Sequence, residues 1–289
     1  MARLHPYFLF QIALSACVCL ALAASARAGE PASRIASLGG GITEIVYALG
    51  QQDKLVARDT TSNHPEAALE LPDVGYIRAI SAEGVLSVSP DLILAKEGAG
   101  PVESVELLEA ASIPITWVPD GYTKEAVARK INVVADALGV PERGAELAAR
   151  VTGEIERAAS SVASGERKRV LFILSMAGGR VMAAGANTSP GALIALAGGE
   201  NAASSFEGFK PITDEAILTS QPDIILAMSR VGERGTTDAQ ILAHPAIRAT
   251  PAGQDEAIVR MDGMLLTGFS VRTGEAIAEL AAALSGAGS

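Results

Sequence analysis

In the stretch DVGYIRAISAEG, Asp73 to Gly84, a tyrosine and an arginine stand two residues apart in a chain that has only four tyrosines. A phenol with a pKa of about 10 is neutral at pH 7, but a bound ferric ion and an adjacent guanidinium each favour its phenolate. Tyrosinate is one of the protein ligands of haem iron, and as a hard anionic oxygen it favours Fe(III) over Fe(II). If YIR is extended, side-chain alternation turns Tyr76 and Arg78 to the same face. The triplet alone is weak evidence, because a tyrosine near a strand is usually packed against a core or an interface.

Other chemistries have less to work with. Beyond the N-terminal leader the chain holds two histidines, His64 in SNHPE and His244 in AHPAI, each before a proline, with no second histidine or cysteine at ligand spacing. That argues against a zinc or manganese site built on several histidines, and against a histidine-based catalytic triad. Gly39 to Gly41 form neither a GxGxxG fingerprint nor a phosphate loop, and no GxSxG is present. The three glycines read as a tight strand-to-helix turn, with a helix start behind them that can receive a carboxylate.

The elements that must position these residues alternate. RIASL reads as a strand and ITEIVYALG as a helix closed by Gly50; PDLILA, VESVELLEAAS and PITWV repeat the strand, helix, strand order. This predicts an α/β fold with mainly parallel strands. From Thr123 to Ala163 the pattern changes to two helical stretches, KEAVARKINVVADALG and PERGAELAARVTGEIERAASSVA, the second opened by Pro141 at a first helical position. Alternation resumes with KRVLFIL at Lys168.

An internal repeat organises the whole. SAEGVLSVSPDLILA (Ser81 to Ala95) and TDEAILTSQPDIILA (Thr213 to Ala227) align without gaps at an offset of 132 and match at seven of fifteen positions. Each reads as a short helix, a Pro-Asp turn and a buried strand, so two similar α/β lobes with mainly parallel sheets are expected, joined by one long α-helix, with a ligand cleft between them. Ligands in such sheets sit beyond the carboxyl ends of the strands. That nominates Gly39 to Gly41, Lys96 and Glu97, Ser175 to Arg180, and Met228 to Arg234.

Residues 1–28 have the anatomy of a secretory signal peptide: Arg3, an apolar run, then Ala26, Arg27 and Ala28 as an AxA cleavage site. A rival lipoprotein reading of Leu14 to Cys17, LSAC, would leave the apolar VCLALAA on the mature chain. Both cysteines, Cys17 and Cys19, fall in the leader, so the exported protein must fold on its hydrophobic core. The expected layout is residues 29–122 as the first lobe, 123–165 as the helical segment and 166–289 as the second lobe. With 33 acidic against 23 basic residues, a formal charge of −10, nucleic acid and anionic membrane surfaces are poor partners.

Four stretches together carry a resemblance: VGYIRAISAEGVLSVSPDLILA, RIASLGGGITEIVYALG followed by TTSNHP, AAGANTSPGALIALAGGENAASSFEGFKPIT, and MDGMLLTGFSVR. Over Arg34 to about Leu284 the chain resembles the periplasmic haem-binding proteins of bacterial haem ABC importers, of the helical-backbone, class III type. The resemblance implies that the protein is not an enzyme but a periplasmic carrier that grips haem b in its cleft. It would act as a monomer, take haem released by an outer-membrane haem receptor, and pass it to an ABC permease with its ATPase. Tyr76 would be the axial iron ligand and Arg78 would stabilise its phenolate. Glu83 and Glu215, equivalent in the repeat, would dock on the permease, although both also suit ordinary helix starts. Several relatives read SHGGG where this chain has SMAGG, so Met176 is expected as an apolar wall. Lys96, Arg180, Lys210 and Arg230 are cationic candidates for the propionates. A ferric siderophore or a corrinoid is the alternative ligand, and a hydrolase or isomerase using Tyr76 with Arg78 lacks a positioned base or nucleophile. Hinge motion should be small, because a helix resists bending.

Overall fold

The computed structural model describes residues 32–162, 165, 167–229 and 236–286. The expected signal peptide, Arg230 and most of the Met228 to Arg234 stretch lie outside the described residues. The first lobe runs β1 (Ile35–Leu38), α1 (Gly40–Ala48), β2 (Leu55–Arg58), β3 (Gly75–Tyr76), β4 (Ala79–Ile80), α2 (Ala82–Ser87), β5 (Leu92–Lys96), α3 (Val102–Ala110) and β6 (Ile115–Val118). Its main sheet has the order β2-β1-β5-β6 with every pair parallel.

Two helices follow, α4 (Lys124–Ala137) and α5 (Pro141–Ser160). The expected single joining helix is therefore the second member of a packed pair, because Gly139, with φ 72°, ends α4 in a left-handed turn before Pro141 opens α5. With twenty residues α5 spans about 30 Å. Near its start it lies so close to α4 that a Cβ on Gly144 would collide with Ala135, and near its end Gly274 packs on the Glu154 backbone.

The second lobe comprises β7 (Arg169–Ala177), β8 (Arg180–Ala184), α6 (Ser189–Leu196), β9 (Glu200–Asn201), β10 (Phe209–Ile212), α7 (Asp214–Ser220) and β11 (Ile224–Met228). It continues with three short helices, α8 (Asp238–Leu242), α9 (Pro245–Arg248) and α10 (Pro251–Gln254), then β12 (Ile258–Met261), α11 (Gly263–Thr267) and α12 (Thr273–Gly286). The sheet order is β10-β8-β7-β11-β12, with β9 also on β7; β7, β11 and β12 are parallel, and β8 and β10 add an antiparallel edge.

The sequence repeat is a structural repeat. Ser81 and Thr213 each accept a backbone N–H three residues on, from Gly84 and Ala216, capping α2 and α7. Ser89 and Gln221, each before the proline, both take positive φ, 47° and 43°. Asp91 then accepts the Arg34 N–H at 2.9 Å, and Asp223 accepts the Arg169 N–H at 2.7 Å. The same turn thus pins the start of β1 in one lobe and of β7 in the other. Each strand that follows, β5 and β11, is buried on both faces in the middle of its sheet.

Candidate functional site

The carboxyl ends of β1, β5, β6 and β11 converge on a cleft of about 400 Å³ between the lobes, a volume in the range of small-molecule sites. Gly39 to Ile42 enter it from the first lobe, followed by Tyr76 to Arg78, Lys96 to Gly98, Val118, Asp120, Tyr122 and Lys130. Leu174, Ser189, Phe209, Met228, Met264, Thr267 and Gly268 face them from the second. The opening between Leu38 and α1 is held by Asp59, a fully buried carboxylate that accepts the Gly39 N–H at 2.9 Å, the Ser62 hydroxyl at 2.6 Å and the Thr61 hydroxyl at 2.6 Å. Gly41 is needed for close approach: a Cβ there would lie 2.9 Å from the Gly268 carbonyl oxygen of the opposite lobe.

Tyr76 and Arg78 do not lie on one extended strand. They flank the tip of a hairpin in which Tyr76 pairs with Ala79 and Ile77 and Arg78 make the turn. The turn is anchored from within: Ile77 is buried, and its carbonyl accepts the Gly100 N–H at 2.9 Å. With Ile77 as the plug, Tyr76 and Arg78 are left exposed on either side, and both line the cleft. The Tyr76 side chain is 48% exposed.

A second phenol sits deeper. Tyr122 stacks edge-on against Phe269, ring centroids 5.7 Å apart, and its hydroxyl donates to Asp120 Oδ2 at 3.0 Å. Burial, then the adjacent Asp120 charge and that hydrogen bond, push the Tyr122 phenol well above its ordinary range, so it stays protonated. Asp120 also faces Lys96 Nζ at 2.9 Å and Lys130 Nζ at 3.6 Å. Burial opposes its charge, but the two ammoniums outweigh that and hold its carboxyl below the usual range. Lys130 is itself buried; loss of solvent, only partly offset by Asp120, pushes its ammonium down to about 8.

Beneath the cleft the segment after α11 is gripped from α4 and from the first lobe. Lys130 donates to the Phe269 carbonyl at 3.0 Å, and Ser270 donates to the Glu44 carboxylate of α1, a buried side chain whose other oxygen lies 3.6 Å from Arg272. Burial pushes Glu44 up to about 7 against the lowering effects of Ser270 and Arg272.

The other expected residues are more scattered. Lys96 lines the cleft, but Met176 does not: β7 runs on past VLFIL to Ala177, with an irregularity between Ile173 and Ser175, and carries Met176 into an adjoining recess of about 330 Å³. For the same reason Ser175 to Arg180 is a hairpin rather than a cleft loop, and Arg180 is exposed on its returning strand. Lys210 is exposed on β10, its Nζ 5.9 Å from the Phe206 ring, and alternation sends its neighbour Phe209 to the cleft instead. Glu83 and Glu215 are exposed in the first turns of α2 and α7. Met228, from the nominated Met228 to Arg234 stretch, lines the cleft, whereas Asp120, Tyr122, Met264 and Lys130 are cleft residues that were not foreseen. Lys130 did leave a signal, since in KEAVARKINVVADA it shares the helix face of Ala126, Val127, Ile131 and Val134.

Two α/β lobes bridged by a helix around a cleft define a substrate-binding protein of the class III type. Over residues 35–265 the chain matches the periplasmic binding protein family, and it belongs to that family. Among solved structures it is similar to the periplasmic heme-binding protein RhuT from Roseiflexus sp. RS-1 in apo form, at 37% identity and a TM-score of 0.83 over 89% of this chain and 99% of that one. It is similar also to the periplasmic heme-binding protein BhuT in complex with two hemes, at 36% identity and a TM-score of 0.81 over 88% and 98% of the two chains. A vitamin B12-binding protein of Vibrio campbellii is 30% identical over 201 residues, 69% of this chain and 72% of that protein. Members of this family are substrate-binding components of transport systems and work with an ABC permease and its ATPase.

Proposed function

We propose that this protein binds ferric haem through Tyr76 in the periplasm and delivers it, chemically unchanged, to an inner-membrane ABC permease. The observation that carries the reading is the hairpin tip: a half-exposed phenol and a guanidinium, flanking a buried Ile77, at the wall of an interlobe cleft. Of the two cleft phenols, Tyr122 is committed to Asp120 and held neutral, which leaves Tyr76 to supply the phenolate. Arg78, exposed beside it, is the charge that stabilises that phenolate. Haem-binding neighbours at 36% and 37% identity support haem over other macrocycles.

Residues 1–28 serve as a cleaved signal peptide, residues 29–122 and 166–289 as the two lobes, and 123–165 as the helical bridge. Glu83 and Glu215 present one carboxylate per lobe to the permease. Lys96 is the cationic candidate placed to meet a propionate; Arg180 and Lys210 would reach one only at the rim, and Met176 flanks the ligand from its separate recess. A corrinoid is the second reading, favoured by the vitamin B12-binding relatives.

Titration of the purified protein separates the two. Hemin is expected to give a saturable visible spectrum with the high-spin charge-transfer band of tyrosinate ligation, and cyanocobalamin no heat of binding. Saturable binding of cyanocobalamin with only the free-hemin spectrum on adding hemin would sink the haem reading.

A further inference from the structure

The floor of the cleft holds more positive charge than its own carboxylates neutralise. Lys130, in the middle of α4, is 3% exposed and yet lines the cleft. Its ammonium has one hydrogen bond, to the Phe269 carbonyl, and lies 3.6 Å from Asp120 Oδ1, a buried oxygen with no hydrogen-bond partner among the described residues. Asp120 Oδ2 is taken by Lys96 at 2.9 Å and by the Tyr122 hydroxyl. Two ammoniums therefore share one carboxylate, in a chain whose net charge is −10. Glu97, exposed at the cleft wall, accepts the Asp120 backbone N–H at 3.2 Å and makes no ion pair with either lysine among the described residues; Glu44 also acts on Lys130, but from α1 and through its own contacts with Ser270 and Arg272.

A buried ammonium short of a full counter-charge is costly unless something completes the pairing. Burial lowers the Lys130 ammonium to about 8, and Asp120 offsets that only in part. A carboxylate entering the cleft would supply the missing charge and bring the floor to two cations and two anions. We infer that Lys130, together with Lys96, receives a carboxylate of the ligand, and that this contact makes the cleft select a carboxylate-bearing macrocycle over a neutral, amide-bearing corrinoid. The inference rests on the haem reading above, and it names the side of the ligand opposite in chemistry to the iron.

The test uses iron(III) protoporphyrin and its dimethyl ester, which present the same iron and ring with and without the two carboxylates. The wild-type protein is expected to bind the diacid about tenfold more tightly than the ester, the scale of one charge-assisted hydrogen bond. Lys130→Met should remove most of that preference by weakening the diacid alone, and Lys130→Gln serves as the second variant should the first not fold. Equal weakening of both porphyrins, or no weakening of either, overturns the inference while leaving the haem reading intact. Failure of wild-type protein to bind either porphyrin saturably overturns both.

Discussion

The Tyr122 hydroxyl donates to Asp120 Oδ2 at 3.0 Å, so the deeper of the two cleft phenols is bound to a carboxylate and packed edge-on against Phe269. The two tyrosines should consequently separate in a spectrum. Tyr76→Phe is expected to abolish the charge-transfer band of bound hemin, and Tyr122→Phe to retain it. Loss of the band in the Tyr122 variant with retention in the Tyr76 variant would exchange their roles.

Arg78 is predicted to act on the ligand phenolate through charge. A neighbouring cation favours the charged form of a phenol, so Arg78→Gln should weaken hemin binding and diminish the tyrosinate band. Hemin titration followed by visible absorption measures both. Wild-type affinity with an unchanged band would leave Arg78 with no electrostatic role.

Glu44 predicts a pH-dependent stability with a definite sign. Its carboxyl is raised from 4.5 to about 7 by burial, so the folded state holds a proton that the unfolded chain has lost. The resulting stabilisation is fully present below about 4.5 and is lost as pH rises through about 7, a change of up to about 3 kcal/mol. Glu44→Gln keeps an acceptor for Ser270 and removes the titration. In urea unfolding at pH 5 and pH 8, the wild type should lose stability relative to this variant at the higher pH; parallel behaviour at both would contradict the assignment.

Gly41 marks where the two lobes touch. A methyl group there would sit 2.9 Å from the Gly268 carbonyl oxygen and 3.1 Å from Ser270 Cβ, neither of which is the end of a flexible side chain. Gly41→Ala should destabilise the protein by about 2 kcal/mol through overpacking and open the junction beneath the cleft. A melting temperature within a degree of wild type would show that the lobes separate there without cost.

The paired glutamates are predicted to matter for delivery alone. Glu83→Lys and Glu215→Lys reverse exposed charges outside the cleft, so hemin affinity should stay within about twofold. Stimulation of the permease ATPase in proteoliposomes should fall, and fall furthest in the double variant. Full stimulation by the double variant would remove both residues from the docking surface.

The pattern of elements was legible because it depends on near neighbours in the chain. The repeat around Ser81 and Thr213 announced a capped helix, a Pro-Asp turn and a central strand twice, and each part is present, down to the aspartate that pins the neighbouring strand. The expectation for YIR failed in its geometry although both residues reach the cleft: Gly75, with φ 105°, and the pull of Ile77 into the core close a hairpin where alternation suggested a strand. Met176 was misplaced because nothing local shows how far β7 continues.

Composition, periodicity and the repeat determined that two similar α/β lobes with a helical bridge would form, and that a tyrosine and an arginine would stand near the end of a strand. The tertiary structure alone decided which groups meet. Lys130 reaches Phe269 across 139 residues and Glu44 reaches Ser270 across 226, and contacts over such separations leave no mark in local spacing. Which phenol is committed, which lysine is buried at the cleft floor and where the lobes press together all follow from how the two sheets pack around the bridge.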